Sequence, residues 1–404
     1  MNPTSPEGQL KDLTVETARA RMLASLPPVT VEIVTLDQAQ GRVLAEDILA
    51  TRDQPPFDAS AMDGWAVCGL GERFEIVGES AAGHGYQAQL SPGQAVRIFT
   101  GAPVPTGADR VVIQEDARRD GDAVIVPPLA GPSRHIRPSG GDFRAGETLL
   151  KVGARLDSWR IGLVAAAGRG LLGVARRPRV AVLATGEELV PPGAALRPDQ
   201  IFNSGGPSLS ALIRLWGGEP IRLDVVGDDM STIADTVAGA DGDLVVTLGG
   251  ASVGDHDLVK PALARLGLDL RVETVRLRPG KPTWFGLLAD GRRVVGLPGN
   301  PASGLVCAEL FLKPLLLALQ GAPPGPRLET ARLAQPMAAN GPREHWARGR
   351  LSTVDGVLIA EPMTDQDSSL VSVFAQADAL IRRVAGAPAA AAGAVVEILR
   401  LERL

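Results

Sequence analysis

The sequence is poor in the residues that form disulfides and soft metal sites. Only two of its 404 residues are cysteines, Cys68 and Cys307, and each lies in an apolar run far from the other. Such cysteines are usually small buried hydrophobic residues, and the pattern fits a reducing cytoplasm better than a disulfide-bonded scaffold. The four histidines lack zinc-ligand spacing and have no cysteine pair to support them, which argues against a zinc site.

Long hydrophobic runs and an excess of either charge are missing as well. The segment from Met1 to Asp12 has no apolar signal core, and the runs Leu310–Leu319 and Ala385–Val396 are shorter than the roughly 20 residues that span a bilayer. Lysine and arginine number 41 against 46 acidic residues, a net charge of -5, which argues against binding to nucleic acid or an anionic membrane. We therefore expect a soluble, cytoplasmic protein, and a small anionic ligand stays compatible with that charge.

Several common catalytic motifs are absent too. The chain has no Ser-His-Asp nucleophile elbow, no Walker A loop and no GxGxxG that opens a βαβ unit. Glycine and proline are abundant instead, at 47 and 32 residues, which indicates many tight turns and short strands. At roughly 100–200 residues per domain, the length predicts two to four domains.

The first part of the chain predicts a β module between two helical segments. Residues 12–26 have helical periodicity, and Val31–Leu36 alternates like a strand. From about 49 to 146, short β-type runs are separated by Gly, Pro and Asp turns, which predicts a small all-β module. We expect Asp157 to be the N-cap of a helix that runs through Ala167.

Residues 178–320 alternate between strand and helix. The predicted strands are Val180–Ala184, Ile221–Val226, Leu244–Leu248, Leu270–Leu277 and Val294–Leu297. A hairpin turn is expected at Asp290-Gly291, and a helix at Pro301–Leu319 with Asn300 as its N-cap. The alternation predicts an open, mostly parallel sheet covered on both faces. After Pro323–Pro326, short strands return and predict a second small β module.

Polar and glycine-rich loops follow each predicted strand of the α/β region. These loops are Thr185–Glu188, Gly227–Asp229, Gly249–Asp257, Arg278–Pro282 and Gly296–Ser303. Because ligands of open α/β sheets bind beyond the carboxyl ends of the strands, we expect all five loops to converge on one rim. Backbone N–H groups there would approach an anion. The carboxylates of Glu188, Asp228 and Asp257 are suited to a hard cation such as Mg²⁺.

Each loop by itself also has an ordinary structural interpretation. Gly249-Gly250 is more often a turn, Lys281 a surface lysine and Asp257 a helix cap. Five such loops on one predicted rim favour a site. Two segments outside the sheet, Pro55–Ala66 and Arg97–Pro105, are similar, and their ordinary interpretation is turn chemistry beside a core tryptophan.

Six separated motifs carry a resemblance to a known family. They are Ser60–Gly64, Thr100–Pro105, Thr185–Leu189, Gly249–Gly254, Pro279–Pro282 and Gly296–Ser303. In this order and spacing they resemble the molybdopterin molybdenumtransferases, the family of the bacterial and plant enzymes and the gephyrin E domain. The resemblance covers essentially the whole chain.

The resemblance implies a fold of four domains, multidomain α/β plus β. The implied domains are a helical linker and dimerisation domain made of residues 8–48 and 147–177, an inserted β domain at 49–146, an α/β molybdopterin-binding domain with a central, open, mostly parallel sheet at 178–326, and a C-terminal β barrel at 327–404. It also implies a homodimer, with transient contacts to the adenylyltransferase and to molybdoenzyme maturation proteins.

The resemblance further implies a reaction and a set of site residues. Adenylylated molybdopterin and molybdate bind, the phosphoanhydride is cleaved with a divalent cation such as Mg²⁺, AMP leaves and molybdenum is placed on the dithiolene. The implied catalytic residues are Asp63, Thr100, Asp142, Glu188, Asp228 and Asp257, of which Glu188, Asp228 and Asp257 would hold the metal. The implied contacts to the molybdopterin-AMP substrate are Thr185, Gly186, Gly249, Gly250, Ser252, Gly254, Pro298, Gly299 and Asn300. The implied molybdate contacts are Arg278, Lys281, Pro282, Ser303, Arg343 and Ser368.

The sequence departs from the family pattern at several positions. Arg278 stands where lysine is commoner, which keeps the charge but presents a planar fork to an oxyanion. Gly205 and Asp378 each stand where the family usually has asparagine, and Leu248 where it usually has serine. Two other functions stay open: the pterin adenylyltransferase step, whose domain resembles residues 178–326 alone, and a non-enzymatic scaffold like the gephyrin E domain.

Overall fold

The chain forms two compact units. The computed structural model describes residues 9–128, 134–250 and 258–402. The first unit contains residues up to Glu32, Gly41–Ala45 and the chain from Ala175 onward, and the second contains Ile33–Gln40 and Glu46–Val174. The division into four domains is finer than these units and stays a prediction.

The amino-terminal part of the chain is mostly β structure. Its elements are α1 (Val15–Met22), β1 (Val31–Thr35), β2 (Ile48–Leu49), β3 (Ala59–Ser60), β4 (Gly64–Val67), β5 (Arg73–Ser80), β6 (Gln94–Ile98), β7 (Arg110–Ile113), β8 (Arg118–Asp120), β9 (Ala123–Ile125), β10 (Ile136–Arg137), β11 (Thr148–Leu150), α2 (Ser158–Ala166) and β12 (Leu171–Ala175).

A six-stranded sheet forms the body of the second unit. Its strand order is β7-β4-β6-β5-β9-β8. Alternate residues of β4 point to opposite faces, so that Trp65 and Val67 pack in one apolar cluster while Ala66 packs in another. The β character predicted for residues 49–146 is therefore confirmed within its described part.

Two helix caps in this region follow directly from the sequence. The Asp157 side chain accepts a hydrogen bond of 2.9 Å from the Arg160 N–H, which confirms it as the N-cap of α2. Thr14 caps α1 through Thr17. Helix α1 is shorter than predicted at both ends. At its start, Leu13 is held in extended backbone by a bridge to Val275, and beyond its end Ser25 has a positive φ of 53°.

The remaining elements of the first unit follow in chain order. They are β13 (Arg179–Ala184), β14 (Leu189–Val190), β15 (Ile201–Phe202), α3 (Gly205–Leu215), β16 (Glu219–Arg222), α4 (Met230–Gly239), β17 (Leu244–Leu248), α5 (Val259–Ala264), β18 (Asp269–Val272), β19 (Leu277–Arg278), β20 (Trp284–Leu287), β21 (Arg293–Leu297), α6 (Pro301–Cys307), a π-helical turn (Ala308–Leu312), α7 (Lys313–Leu319), β22 (Leu328–Leu333), β23 (Glu344–Val354), β24 (Val357–Pro362), α8 (Val371–Gln376), β25 (Ala379–Arg383) and β26 (Val395–Arg400).

A mixed six-stranded sheet is the centre of the first unit. Its order is β16-β13-β17-β21-β20-β18, and its first four strands are parallel. The two remaining strands are antiparallel, and the expected hairpin joins β20 to β21. On β13, Val180 and Val182 face the layer of α3, α6 and α7, whereas Ala181 and Leu183 face α4 and α5. Helices therefore cover both faces.

The strand predicted at Leu270–Leu277 is wrong as a single element. The segment divides into β18, an antiparallel edge strand, and β19, which pairs with β23 of the C-terminal sheet. Between them, Thr274 and Arg276 form backbone hydrogen bonds with Leu13. Because this partner comes from the other end of the chain, the local pattern could not reveal the break.

The helix predicted at Pro301–Leu319 contains a π-helical turn before Pro314. Proline has no N–H and its ring clashes with the preceding turn, which accounts for a widened turn at this place. By length and composition these 19 residues could cross a membrane, but 78% of the apolar window is buried inside the structure. The segment is a core helix of the first unit.

The C-terminal strands close into a barrel. Strands β23, β24, β22, β26 and β25 are neighbours in that order, and β25 also pairs with β23. Closure pairs strands that would otherwise be sheet edges, and the inside is filled by small and aliphatic residues such as Ala347, Ala379 and Ile398. The sheet here is a closed five-stranded barrel, with β19 added outside the ring.

Candidate functional site

A cleft of about 940 Å³ opens at one edge of the central sheet. The carboxyl ends of β13, β16, β17 and β21 meet at this edge because these strands are parallel. The helix that follows β13 packs on one face and the helix that follows β17 on the other, so that a crevice forms between their ends. Lining residues that the sequence had singled out are Thr185, Gly186, Glu188, Asp228, Gly249, Gly250, Lys281, Pro282, Pro298, Gly299 and Asn300.

Glycines let three backbone segments approach closely in this cleft. Gly186 and Gly249 have φ values of 141° and 94°, a backbone conformation that residues with a side chain rarely adopt. A Cβ atom on Gly249 would lie 2.8 Å from the Thr185 carbonyl oxygen, and one on Gly299 would lie 3.3 Å from the Gly249 Cα. Gly299 is exposed and Gly249 half-buried, whereas Gly186 is buried. An anionic group can therefore approach the backbone at the first two.

Two exposed carboxylates lie on the cleft wall, those of Glu188 and Asp228. The adjacent Asp229 has a different task, since its Oδ1 accepts 2.7 Å hydrogen bonds from the Thr232 N–H and hydroxyl and caps α4. In residues 9–128, 134–250 and 258–402, no group of three His, Cys, Asp or Glu side chains is placed to hold a metal ion. Asp257 lies outside the described residues, so the three-carboxylate set stays a prediction.

Lys281 brings a positive charge to the cleft. Its Nζ lies 4.0 Å from the Asp12 carboxylate, and both side chains are more than half exposed, at 54% and 55%. The Asp12 N–H donates a hydrogen bond of 2.7 Å to the Thr274 hydroxyl, which fixes the backbone of Asp12. A contact this long and exposed leaves the ammonium group available to an anion.

Part of the wall is apolar, and the sequence did not point to it. Strands β14 and β15 pair so that Leu189 lies beside Ile201. Ile201 and Phe202 line the cleft while 57% and 42% exposed. The only available signal was an aromatic residue in a short strand-like segment after the Thr185–Leu189 motif.

The start of α6 differs from expectation. Asn300 stands at the N-cap position but makes no capping hydrogen bond. Its Nδ2 instead donates to the Ser368 Oγ at 3.0 Å, and the Ala302 N–H donates to the Ser368 carbonyl at 3.0 Å. A loop from the barrel therefore packs against the first turn of α6, and Ser368 accepts hydrogen bonds from that turn. The sequence alone predicts N–H groups that are free to bind an anion there.

Arginines surround a histidine at the start of β23. Burial, followed by the positive charge of nearby arginines, lowers the pKa of His345 to about 4. Those arginines are Arg278, Arg348, Arg343 and Arg383. Arg278 lies directly opposite His345 in the β19–β23 pairing. His345 is therefore neutral at pH 7, and the positive charge of the cluster comes from arginine alone.

Arg348 is the most buried of these arginines, at 0% exposure. One Nη donates to the Asp367 carbonyl at 3.2 Å. Its Nε and other Nη have no hydrogen-bond partner among the described residues. Buried guanidinium donors without partners are costly to the fold, and Arg348 does not itself line the cleft.

Asp63 and Thr100 lie together in the second unit. Asp63 Oδ1 accepts the Thr100 N–H at 2.7 Å and the Thr100 hydroxyl at 2.8 Å. These two hydrogen bonds, with the charge of Arg97, lower the pKa of Asp63 despite some opposing desolvation. Arg97 is itself held over the rings of Trp65 and Phe99. Asp63 is therefore ionised and fixes the turn that presents Thr100.

Asp142 lies in a separate, exposed loop of the second unit. Its N–H donates to the Gln54 carbonyl at 2.9 Å. The same loop is tied down at Ser139, whose N–H donates to Asp58 at 2.8 Å. The carboxylate itself points to no described partner, so the loop presents it to solvent.

Of the remaining predicted residues, some lie beside the cleft and others outside it. Arg278, Ser303, Arg343 and Ser368 are not among the residues that line the cleft, although Ser368 contacts Asn300, which does. Ser303 is buried at 4% exposure. Ser252 and Gly254 lie outside the described residues. Four of the five predicted loops follow parallel strands of one sheet, and Arg278–Pro282 follows β19 instead.

Three sequence-family matches cover most of the chain. Residues 13–168 match the family described as "MoeA N-terminal region (domain I and II)", residues 181–318 match "Probable molybdopterin binding domain", and residues 330–401 match "MoeA C-terminal region (domain IV)". A molybdopterin molybdenumtransferase from Nostoc sp. is 38% identical over 341 residues, which is 81% of this chain and 78% of that protein. The chain belongs to the molybdopterin molybdenumtransferase family.

Other members of the molybdopterin molybdenumtransferase family agree. Molybdopterin molybdenumtransferase 2 of Mycobacterium tuberculosis is 40% identical over 321 residues, 75% of this chain and 78% of that protein. The Staphylococcus epidermidis member is 32% identical over 381 residues, 91% of each chain. This chain is accordingly a transferase of molybdenum cofactor biosynthesis.

A solved structure shares the fold. The molybdopterin biosynthesis MoeA protein of Pyrococcus horikosii has a TM-score of 0.81 and 31% identity, over 98% of this chain and all of that one. The multidomain fold with mixed sheets and a closed C-terminal barrel is thus that of MoeA proteins.

Proposed function

We propose that this transferase inserts molybdenum from molybdate into adenylylated molybdopterin and releases AMP. The observation that carries the proposal is the cleft at the switch point of the central sheet, which combines exposed backbone, two carboxylates, a lysine and an apolar wall. A substrate with a ring system and a phosphoanhydride has parts that match these surfaces of the cleft. The planar rings fit beside Phe202, and the phosphates fit over the glycine backbone.

The carboxylates are assigned to the phosphoanhydride end of the substrate. Glu188 and Asp228 offer oxygen ligands, and neither His nor Cys lines the cleft in the part of the chain that the structure describes. This donor set fits a hard divalent cation such as Mg²⁺, with Asp257 as a further ligand. When bound, the cation neutralises charge on the phosphates that are separated. Thr185, Gly186, Gly249, Gly250, Ser252, Gly254, Pro298, Gly299 and Asn300 hold and orient the substrate.

Molybdate is assigned to the side of the cleft next to the barrel. Lys281 and Pro282 lie on the wall, and Ser368 contacts the first turn of α6. Arg278 and Arg343 act on His345 from nearby, so that positive charge concentrates here. A tetrahedral dianion is stabilised by such charge-assisted donors, with Ser303 as a further contact.

The second unit is assigned to the reaction as well. Asp63, Thr100 and Asp142 are polar groups on turns that rigid strands or hydrogen bonds hold in place. We infer that they complete the cleft in a cytoplasmic homodimer. The exposed side chains of Trp159 (89%), Ile33 (66%) and Leu171 (59%) support a further contact surface on this unit. Transient contacts to the adenylyltransferase and to molybdoenzyme maturation proteins belong to the same proposal.

Release of AMP from adenylylated molybdopterin tests the proposal directly. Addition of molybdate and Mg²⁺ should yield AMP and molybdenum cofactor. Consumption of ATP instead would assign the chain to the adenylyltransferase step. If the protein neither releases AMP nor consumes ATP, the scaffold function remains.

A pair of neighbouring variants tests the assignment of Asp228. Asp228→Asn removes a carboxylate from the cleft and should lower AMP release at least about tenfold, since this is the scale of one lost charged contact. Asp229→Asn is the control, because asparagine also caps helices and α4 should persist. Both variants should keep the melting temperature. Normal AMP release by Asp228→Asn would refute its role.

A further inference from the structure

A loop of the barrel, residues 363–370, meets the first turn of α6. Ser368 makes both contacts, accepting the Ala302 N–H at its carbonyl and the Asn300 side chain at its hydroxyl. The next residue, Ser369, lines the cleft together with Val371. The loop therefore places Ser368 against Asn300, and both residues are proposed to bind substrate.

The Gln366 side chain is one attachment of the loop to the barrel. The Gln366 Oε1 accepts the Arg348 N–H at 2.9 Å, and its Nε2 donates to the carbonyls of Arg348 at 2.9 Å and Met363 at 2.8 Å. The amide group thus uses its acceptor and both donors. Such a fully bonded amide has one defined orientation.

The reason for this arrangement lies in the sheet. Strand β24 pairs with β23 from Val357 only as far as Pro362, which lies opposite Gly349. Arg348 is the next residue along β23, where the partner strand has ended. The Met363 N–H still donates to the Arg348 carbonyl at 2.9 Å, and the Gln366 amide completes this last pair. It accepts the Arg348 N–H and donates to the carbonyls of both residues. The loop is thereby fixed to the closed barrel.

Within the loop, hydrogen bonds between near neighbours restrict the backbone between Gln366 and Ser368. The Asp367 N–H donates to Asp365 at 2.8 Å, and Asp367 Oδ1 accepts the Ser369 N–H at 2.8 Å. The Asp367 carbonyl also accepts from the buried Arg348 side chain. Few torsions between Gln366 and Ser368 are left free, so a change at Gln366 reaches Ser368.

We propose that Gln366 is a positioning residue, which holds Ser368 against Asn300 and the first turn of α6 and so preorganises the oxyanion side of the cleft. The proposal rests on the proposed function for its effect on catalysis. Gln366 touches no substrate in this scheme. It acts through the loop, as the supporting residues of a preorganised site do.

Amide hydrogen exchange at Ala302 tests the positioning without any substrate. Ala302 is the second residue of α6, and N–H groups at that place have no partner within a helix. Its protection therefore reports the bond to Ser368. In the full-length protein, Gln366→Met keeps the volume but removes the amide, and should speed Ala302 exchange at least about tenfold. Gln366→Ala should act in the same way.

The kinetic test separates positioning from general damage. Gln366→Met should raise the KM for molybdate at least about fivefold, with kcat at saturating molybdate within about twofold of the wild type. Gln335→Ala is the matched control, because the side chain of this glutamine donates to exposed Glu361 at 2.9 Å and lies outside the 363–370 loop. The control should change neither Ala302 exchange nor KM, and all variants should keep the melting temperature within a few degrees.

The possible outcomes are distinct. Unchanged Ala302 exchange in Gln366→Met would overturn the proposal, whether or not the wild type is active. Faster exchange with unchanged KM, or a loss of kcat alone, would also overturn it. A wild-type chain that releases no AMP would refute the proposed function instead, while the exchange measurement would still decide whether Gln366 positions the loop.

Discussion

Lys281 is an exposed cation among the described residues that line the cleft, and the proposed function assigns it to molybdate. The only ion pair that the described residues give it is the 4.0 Å contact to Asp12. An exposed pair of this kind contributes little, so an arriving oxyanion displaces it at small cost.

Substitution of Lys281 should therefore weaken molybdate binding specifically. Lys281→Ala should raise the molybdate concentration needed for half-maximal insertion at least about tenfold, because a charge-assisted hydrogen bond is lost. Binding of the pterin substrate should persist. Lys11→Ala is the control, since Lys11 pairs with Glu273 at 3.1 Å and does not line the cleft. The same molybdate dependence in both variants would remove Lys281 from the site.

His345 reports on the arginine cluster. Its pKa is lowered to about 4 by burial and by neighbouring arginines. A lowered folded pKa means that the unfolded chain binds the proton first as pH falls. Between about pH 6.5, the ordinary histidine value, and about pH 4, protonation therefore favours unfolding, with a total on the order of 3 kcal/mol.

An NMR titration of the His345 ring checks this expectation. The pKa should lie near 4 without ligand. It should rise when molybdate is added, because an oxyanion among the arginines offsets their positive charge. In His345→Gln, the free energy of unfolding should fall less between pH 6.5 and pH 4. A ring that titrates near its ordinary value in the free protein would contradict the buried, arginine-rich environment.

At the scale of elements, the β20–β21 hairpin fixes the wall of the cleft that leads into α6. Gly296 lies opposite Trp284 in this pair, and a Cβ atom there would overlap the indole ring. Trp284 is fully buried, so the ring has no space into which to move. Only glycine fits at this position of β21.

Gly296→Ala should therefore destabilise the first unit by about 1–3 kcal/mol, the usual range for an overpacked core. Thermal unfolding followed by circular dichroism measures the effect. Gly162→Ala in α2 is the control, because nothing lies within 4 Å of the added Cβ and alanine favours helix. Equal melting temperatures for the two variants would show that Trp284 can repack.

At the scale of the whole molecule, the residues proposed for the site divide between two compact units. Asp63, Thr100 and Asp142 lie in the second unit, and Glu188 and Asp228 lie in the first. A two-fold dimer can combine groups from two chains in two equivalent clefts. We expect this arrangement, with a monomer that closes its own cleft as the alternative.

Subunit exchange distinguishes the two. Asp63→Ala and Asp228→Ala chains should each be inactive, and mixing them should restore about a quarter to half of the wild-type AMP release, since one cleft of each mixed dimer has both residues intact. Each variant mixed with itself is the control. A stable mixed dimer without recovered activity would contradict a shared cleft.

The sequence by itself determined the elements and their order along the rim. The Asp157 cap, the strand at Leu244–Leu248 and the hairpin at Asp290-Gly291 were all predicted, because periodicity and turn chemistry act over a few residues. Parallel strands place their carboxyl ends at one edge, so that Thr185, Asp228 and Gly249 could be expected to lie near one another.

Tertiary structure decided the rest. The break after Val272 depends on pairing with Leu13, and the place of Arg278 depends on pairing with His345. Ser368 covers the first turn of α6, and Gln366 of the same loop bonds to Arg348 of the barrel. These partners lie far apart along the chain, and a local pattern does not specify which distant backbone will meet an unpaired N–H or carbonyl. Only packing of the folded chain makes that choice.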